Sequence, residues 1–216
     1  MSDYYEKLEK AKADFLRDVH AHVMHIKQDE GLFRHIRFSK GGSSVYHFDI
    51  TTWPGYLCVS GDMGCFVFAR TEDMLTFFRG DRINPQYWAE KIQATNNRSG
   101  HRSFSVDLLK QAVADDFERW EFDDEAQKAE AWEAITDEWD GLFYDIEGCS
   151  LQDAMTAVTD WECPVTKQRF QDFWEHDVED YTFHFMWCCN AIQWAIQRYD
   201  AAKAEPPSPQ PRDAQP

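Results

Sequence analysis

No window of this 216-residue sequence holds 18 consecutive apolar residues, so no transmembrane helix is expected. The opening residues, Met1-Ser2-Asp3-Tyr4-Tyr5-Glu6, lack the basic and apolar regions of a secretory signal, and none is expected. The six cysteines (58, 65, 149, 163, 188 and 189) never fall at C-x-x-C spacing, so reduced thiols in a cytoplasmic protein are the expectation. G-x-S-x-G, P-loop, G-x-G-x-x-G and H-E-x-x-H patterns are absent, and with them the common sequence signs of hydrolase, nucleotide or zinc-protease chemistry. The reading is therefore of a protein that is not an enzyme.

Basic residues are scarce in one region only. Residues 111–180 contain 22 Asp and Glu against 4 Lys and Arg, a local net charge of −18. The remaining 146 residues hold 17 acids and 18 bases, a net of +1. Such segregation points to a surface field with a cationic partner, and it disfavours direct binding to nucleic acid or to an anionic membrane. The 9 Trp, 8 Tyr and 16 Phe are enough to build a sizeable core, so the acidity is not a sign of disorder.

Apolar residues at three- and four-residue steps (Leu8, Ala11, Phe15, Val19, Val23, Ile26) predict a helix over residues 3–28, stopped by Gly31. From Leu32 the period changes to two. Strands are expected at 32–38, 45–53, 56–60 and 65–70, joined by short turns, which implies an antiparallel meander. Thr71 is expected to cap a helix over 72–79, and Pro85 to open a short one to about Ala94. Ser103–Val106 reads as a last strand. Helices are expected near 106–121, 124–144, 150–161 and 170–203, the last broken near Asp177. Residues 205–216 carry five of the eight prolines and read as a disordered tail. The fold class is α+β: an N-terminal helix, a small antiparallel β-meander, then a largely helical acidic C-terminal half. Residues 1–204 are expected to form one domain, with a division into 1–100 and 101–204 as the alternative.

Within 124–144, Trp132, Ile135, Trp139 and Leu142 predict a buried stripe, and Glu130, Glu133, Asp137 and Asp140 a parallel acidic line. Like charges at these spacings repel, by roughly 0.2–0.5 kcal/mol per pair. Upstream, Asp115, Asp116, Glu118, Glu121, Asp123, Asp124 and Glu125 crowd a helix end and its turn. Acids at a helix start are favoured by the dipole, which accounts for 123–125 alone. The expected partner-binding residues are Asp115, Asp116, Glu118, Asp123, Asp124, Glu125, Glu130, Glu133, Asp137 and Asp140. Such a ridge of carboxylates imitates a phosphate track, although a merely solvated acidic face is the plainer reading.

The most distinctive local string is Trp53-Pro54-Gly55 followed by Ser60-Gly61-Asp62-Met63-Gly64, a well-made hairpin in which Asp62 bonds its own backbone. Together with Tyr46-His47-Phe48, Phe66-Val67-Phe68, Asp73-Met74 and Phe77-Phe78-Arg79, it resembles a group of uncharacterised bacteriophage and prophage proteins over about residues 45–80. That resemblance implies a phage context and carries no catalytic residue. Small acidic phage proteins often disable host defence or DNA-handling enzymes.

His184 and Cys188 stand four apart, and Cys163 or His176 would be needed to complete a zinc site. Nothing in the sequence brings them together, so no metal and no cofactor is expected. His20, His22 and His25 read as a solvated helix face. The functional expectation is a phage-encoded inhibitor of a host nucleic-acid-handling or defence protein, of anti-CRISPR or anti-restriction type, acting in the bacterial cytoplasm through its anionic helical surface. A self-assembling structural or accessory phage protein, such as a homodimer, is the alternative, and an enzyme of unknown class the third.

Overall fold

The computed structural model describes residues 2–96 and 100–204. The chain divides into two compact units, one made of residues up to His101 together with those from Tyr181 on, the other of Arg102–Asp180. The expected tail at 205–216 and residues 97–99 of the loop before Gly100 lie outside the described residues.

The first unit opens with helix α1 (Ser2–Val19) and continues through strands β1 (Val23–Glu30), β2 (Phe33–Ser39), β3 (Phe48–Trp53), β4 (Tyr56–Gly61) and β5 (Gly64–Ala69). Two short helices, α2 (Met74–Phe78) and α3 (Pro85–Ala89), precede β6 (Ile92–Thr95). The six strands form one antiparallel sheet in sequence order, the expected meander. Helix α8 (Phe183–Ala204) returns to this unit after the second one.

The N-terminal helix is shorter than its apolar period suggests. It ends at Val19, and Val23–Glu30 forms the edge strand, paired from Val23↔Ser39 to Glu30↔Phe33. An edge strand with β-branched Val23 and Ile26 carries the same three-residue spacing as a helix face, so the pattern alone does not separate them. Gly31, at φ 63°, is part of the two-residue hairpin turn and not a helix stop.

One sheet face is apolar. Ile36, Phe38, Phe48, Ile50, Leu57, Val59, Phe66 and Phe68 are all buried. Against them α1 and α8 lay an aromatic cluster in which Phe15, Phe48 and Trp187 meet edge to face at 5.0–6.4 Å. Aromatic pairs in such tilted geometry add about 0.5–1.5 kcal/mol each beyond burial. Polar ties fix α8 from outside. Arg79 forks onto Asp200 with both contacts at 2.8 Å, and Asp29 accepts from Tyr199 Oη and Lys203 Nζ, also at 2.8 Å. Contact with Lys203 holds the Asp29 carboxyl below its ordinary pKa.

The Ser-Gly-Asp-Met-Gly string serves the backbone. A Cβ on Gly61 would collide with the His47 carbonyl oxygen and lie 2.8 Å from Phe48 Cα. Asp62 accepts from the Tyr46 amide at 2.8 Å and thereby holds Tyr46 at φ 56°. Asp73 caps α2, in place of the expected Thr71, and it also pairs bidentately with Arg34 at 3.1 Å.

The second unit contains β7 (Arg102–Phe104), α4 (Val106–Phe117), α5 (Glu125–Thr136), α6 (Leu142–Asp145), α7 (Leu151–Asp160) and a 3-10 turn at Phe173–Glu175. β7 pairs with β8 (Glu179–Tyr181), so a two-stranded sheet joins its chain ends. Its core is Leu109, Val113, Phe117, Ile135, Phe170 and Phe173 with their neighbours.

Candidate functional site

The anionic charge coincides with the second unit. Residues 102–180 hold 23 acids and 6 bases, a net of −17, while the rest of the chain holds 16 of each. Five of the six bases are already paired: Arg102 with Asp177, Lys110 with Glu147, Arg119 with Asp116, Lys128 with Glu118 and Arg169 with Glu162. Hydrogen bonding to Arg102 holds the Asp177 carboxyl below its ordinary pKa, and Glu118 raises that of Lys128. The pairs leave the excess acids without counter-charges.

The helix starts follow ordinary rules. Ser105, Asp124 and Ser150 cap α4, α5 and α7 by accepting from Leu108, Gln127 and Asp153 amides. The helix ends do not. No basic residue stands in the last turn of α4, α5, α6 or α7. In the three longer helices acids stand there instead: Asp115 and Asp116 in α4, Glu133 in α5 and Asp160 in α7. A carboxylate at the negative end of the dipole is unfavourable by about 0.3–1 kcal/mol.

Nine of the ten expected contact residues are exposed: Asp115, Glu118, Asp123, Asp124, Glu125, Glu130, Glu133, Asp137 and Asp140. Asp116 is the exception. It is buried on the inward side of α4, where His176 Nε2 lies 3.0 Å from one oxygen and Arg119 2.8 Å from the other. Its role is internal, and α4's own helical period explains it, since Asp116 sits beside Phe117 and four residues after Ala112.

The ridge is also reorganised. The expected helix over 124–144 stops at Thr136. Asp137 terminates it, accepting from the Trp139 and Asp140 amides at 2.9 Å. Leu142 starts a separate helix, so Asp137 and Asp140 leave the line begun by Glu130 and Glu133. Trp139 is 80% exposed, not part of a buried stripe, while Ile135 and Leu142 are buried. An Asp that competes for backbone amides ends a helix even where apolar spacing continues. Glu130, Glu133, Asp140 and Asp160 form no ion pair among the described residues.

Among the described residues no group of three or more His, Cys, Asp and Glu is placed to hold a metal ion. His184 is exposed while Cys188 is buried, with its thiol on the Met63 carbonyl at 3.7 Å. Burial pushes the Cys188 and Cys189 thiols well up from their ordinary values. Cys58 and Cys65 approach to 3.7 Å on the outer sheet face, and burial pushes Cys58 up to about 12, which makes it a poor nucleophile. His22 also differs from expectation. Its ring is half-buried, with Nε2 at 3.0 Å from the Tyr46 carbonyl, and burial lowers its pKa.

Sequence reasoning missed the exposed indole of Trp174, 65% accessible on the 3-10 turn. Its only signal was an aromatic pair inside the acidic run Gln171–Asp177. No protein-family model, no curated protein and no solved structure matches this chain. Among the described residues, no helix is long and apolar enough to cross a membrane.

Proposed function

We propose that this chain binds and inhibits a cationic protein, with the second unit presenting carboxylates where the partner ordinarily meets phosphate. The partner class is a host nucleic-acid-handling or defence protein, as in anti-CRISPR or anti-restriction inhibition within the bacterial cytoplasm. The observation that supports this most is that α4, α5 and α7, the longer helices of Arg102–Asp180, each carry acids and no base in the last turn. Solubility needs charge, but it does not need charge placed against the helix dipole. A field of this sign speeds association with a basic surface and makes it salt-dependent. Neither the buried thiols nor the dispersed histidines favour catalysis.

The test is capture of nucleic-acid-binding proteins from bacterial lysate by the tagged full chain at low and high salt, with duplex DNA as competitor. A variant carrying Asp115→Lys, Glu130→Lys, Glu133→Lys and Asp140→Lys runs in parallel. The expected result is a DNA-competed, salt-sensitive target lost with the variant. Equal capture by the variant rejects charge docking. The second reading, self-association, is favoured by the exposed indoles of Trp139 and Trp174. It predicts a concentration-dependent dimer in sedimentation that Trp139→Ala dissolves.

A further inference from the structure

We propose that the cleft between α7 and the Trp174–Glu179 segment is a receptor for an arginine side chain of a basic partner segment. The inference rests on the cationic-partner reading and adds to it a location and a preferred residue type.

The cleft is a groove open to solvent with a volume of about 540 Å³, room enough for a side chain. Its walls are of two kinds. Leu151, Met155 and Val178 give an apolar surface, while Asp160 and Glu179 bring carboxylates to the lining. Trp174 stands between them in character, a large apolar face with a quadrupole that attracts cations. Its neighbour Phe173 is fully buried, packed against Phe170 at 5.7 Å and against the His176 ring at 4.7 Å. The 3-10 turn is thus anchored on one side and presents Trp174 on the other. No ring contact or hydrogen bond engages the Trp174 indole among the described residues.

The occupant follows from charge complementarity. The unit carries a net charge of −17, which repels an anionic ligand. Asp160 is the last residue of α7, so its carboxylate and the helix's terminal carbonyls bring negative potential to the same end. A purely apolar group would fill the walls and leave this carboxylate unanswered. A lysine ammonium would answer the charge, but it is a compact, strongly hydrated point. A guanidinium is planar and weakly hydrated, stacks on an indole face and donates in a fork to a carboxylate. Arg102 already meets a neighbouring carboxylate through charge: its Nη2 reaches both oxygens of Asp177 at 2.7 Å and also donates to the Glu179 carbonyl. That pair occupies Asp177, a cleft residue, and among the described residues leaves Asp160 and Glu179 as the cleft acids without an ion pair for an incoming arginine.

The experiment uses the full chain and two fluorescein-labelled dodecapeptides, one alternating Arg and Ser, the other alternating Lys and Ser. Affinity is read by anisotropy at fixed moderate salt. The arginine peptide is expected to bind about fivefold more tightly, the scale of a cation–π contact added to common electrostatics. Trp174→Ala leaves net charge unchanged and is expected to abolish that preference. Trp139→Ala, which removes an indole still more exposed in the same unit, is expected to preserve it. In a parallel spectrum, the Trp174 indole Nε1–H resonance, assigned by loss in Trp174→Phe, is expected to shift with the arginine peptide. Equal binding of the two peptides, a preference that survives in Trp174→Ala, or a stationary Trp174 resonance overturns the cleft assignment. If both peptides bind equally and the four-residue lysine variant loses both, anionic docking stands and only the arginine site falls. If neither binds, both readings fall.

Discussion

The two units of this chain are built on similar interiors and opposite surfaces. Each packs a web of aromatic rings: Phe15, Phe48, Trp187 and Trp194 in the first, Phe117, Trp120, Trp132 and Phe170 in the second. Around the first, acids and bases balance and the long helices close with Arg17 and Lys203 in their last turns. Around the second, acids outnumber bases almost fourfold and no α-helix closes with a base. The two long helices of the first unit observe the dipole preference, and the longer helices of the second reverse it. Stability resides in the rings, which leaves surface charge free to serve a different purpose.

Core truncation gives the largest expected effects, and they should be alike in the two units. Trp187→Ala and Phe173→Ala each remove a fully buried ring and should each cost about 3–5 kcal/mol. Hydrogen exchange resolved by peptide should show the loss in the unit that carries each change. Equal sensitivity to both in the first unit would break the comparison.

Asp116→Ala should cost the second unit about 1–3 kcal/mol in urea unfolding, because it removes the hydrogen bond with His176 and the ion pair with Arg119. Glu130→Ala, at an exposed and unpaired site, should cost almost nothing. Replacing Asp115 or Glu133 with Arg should stabilise the second unit by about 0.3–1 kcal/mol each, whereas Arg17→Glu and Lys203→Glu should destabilise the first. Raising salt should shrink the difference, since screening shortens from about 30 Å at 0.01 M to about 3 Å at 1 M.

The smallest effect concerns acid. Burial lowers the His22 pKa in the folded state below the ordinary 6.5. The unfolded chain therefore takes up the proton first, and stability declines as pH falls below 6.5. His22→Gln should flatten the melting temperature of the first unit between about pH 7 and about pH 5.5. The Asp29 and Asp177 contributions have the same sign at lower pH, because there too the unfolded chain takes up the proton first. Their carboxyls are lowered, so their stabilisation is present above the ordinary value of 3.8 and lost as pH falls through the lowered values.

Alternation made the meander legible, because each strand from Phe33 to Ala69 has one face in the core. The segregated charge was legible as composition. Less visible were features that depend on which unit a segment joins. Val23–Glu30 has a helical spacing but supplies a sheet edge. Residues 183–204 follow an acidic half in sequence, yet Phe185–Ile192 are buried on every side because they fill the face of the first unit's sheet. Asp137 ends a helix by capturing two amides, an event that no hydrophobic period registers. Asp116 and Glu118 look alike in a list of acids, and only the packing of α4 separates the internal one from the exposed one.

The insertion of Arg102–Asp180 between β6 and α8 has a consequence for how the chain is made. The helix that covers the apolar sheet face is synthesised last, after the whole acidic unit. At about 5–20 residues per second, the 79 intervening residues take about 4–16 s. For that interval Phe38, Phe48 and Phe66 await Trp194, Trp187 and Phe185 of α8, whose rings pack on them. The segment emerging meanwhile is the strongly anionic one, with 23 acids against 6 bases.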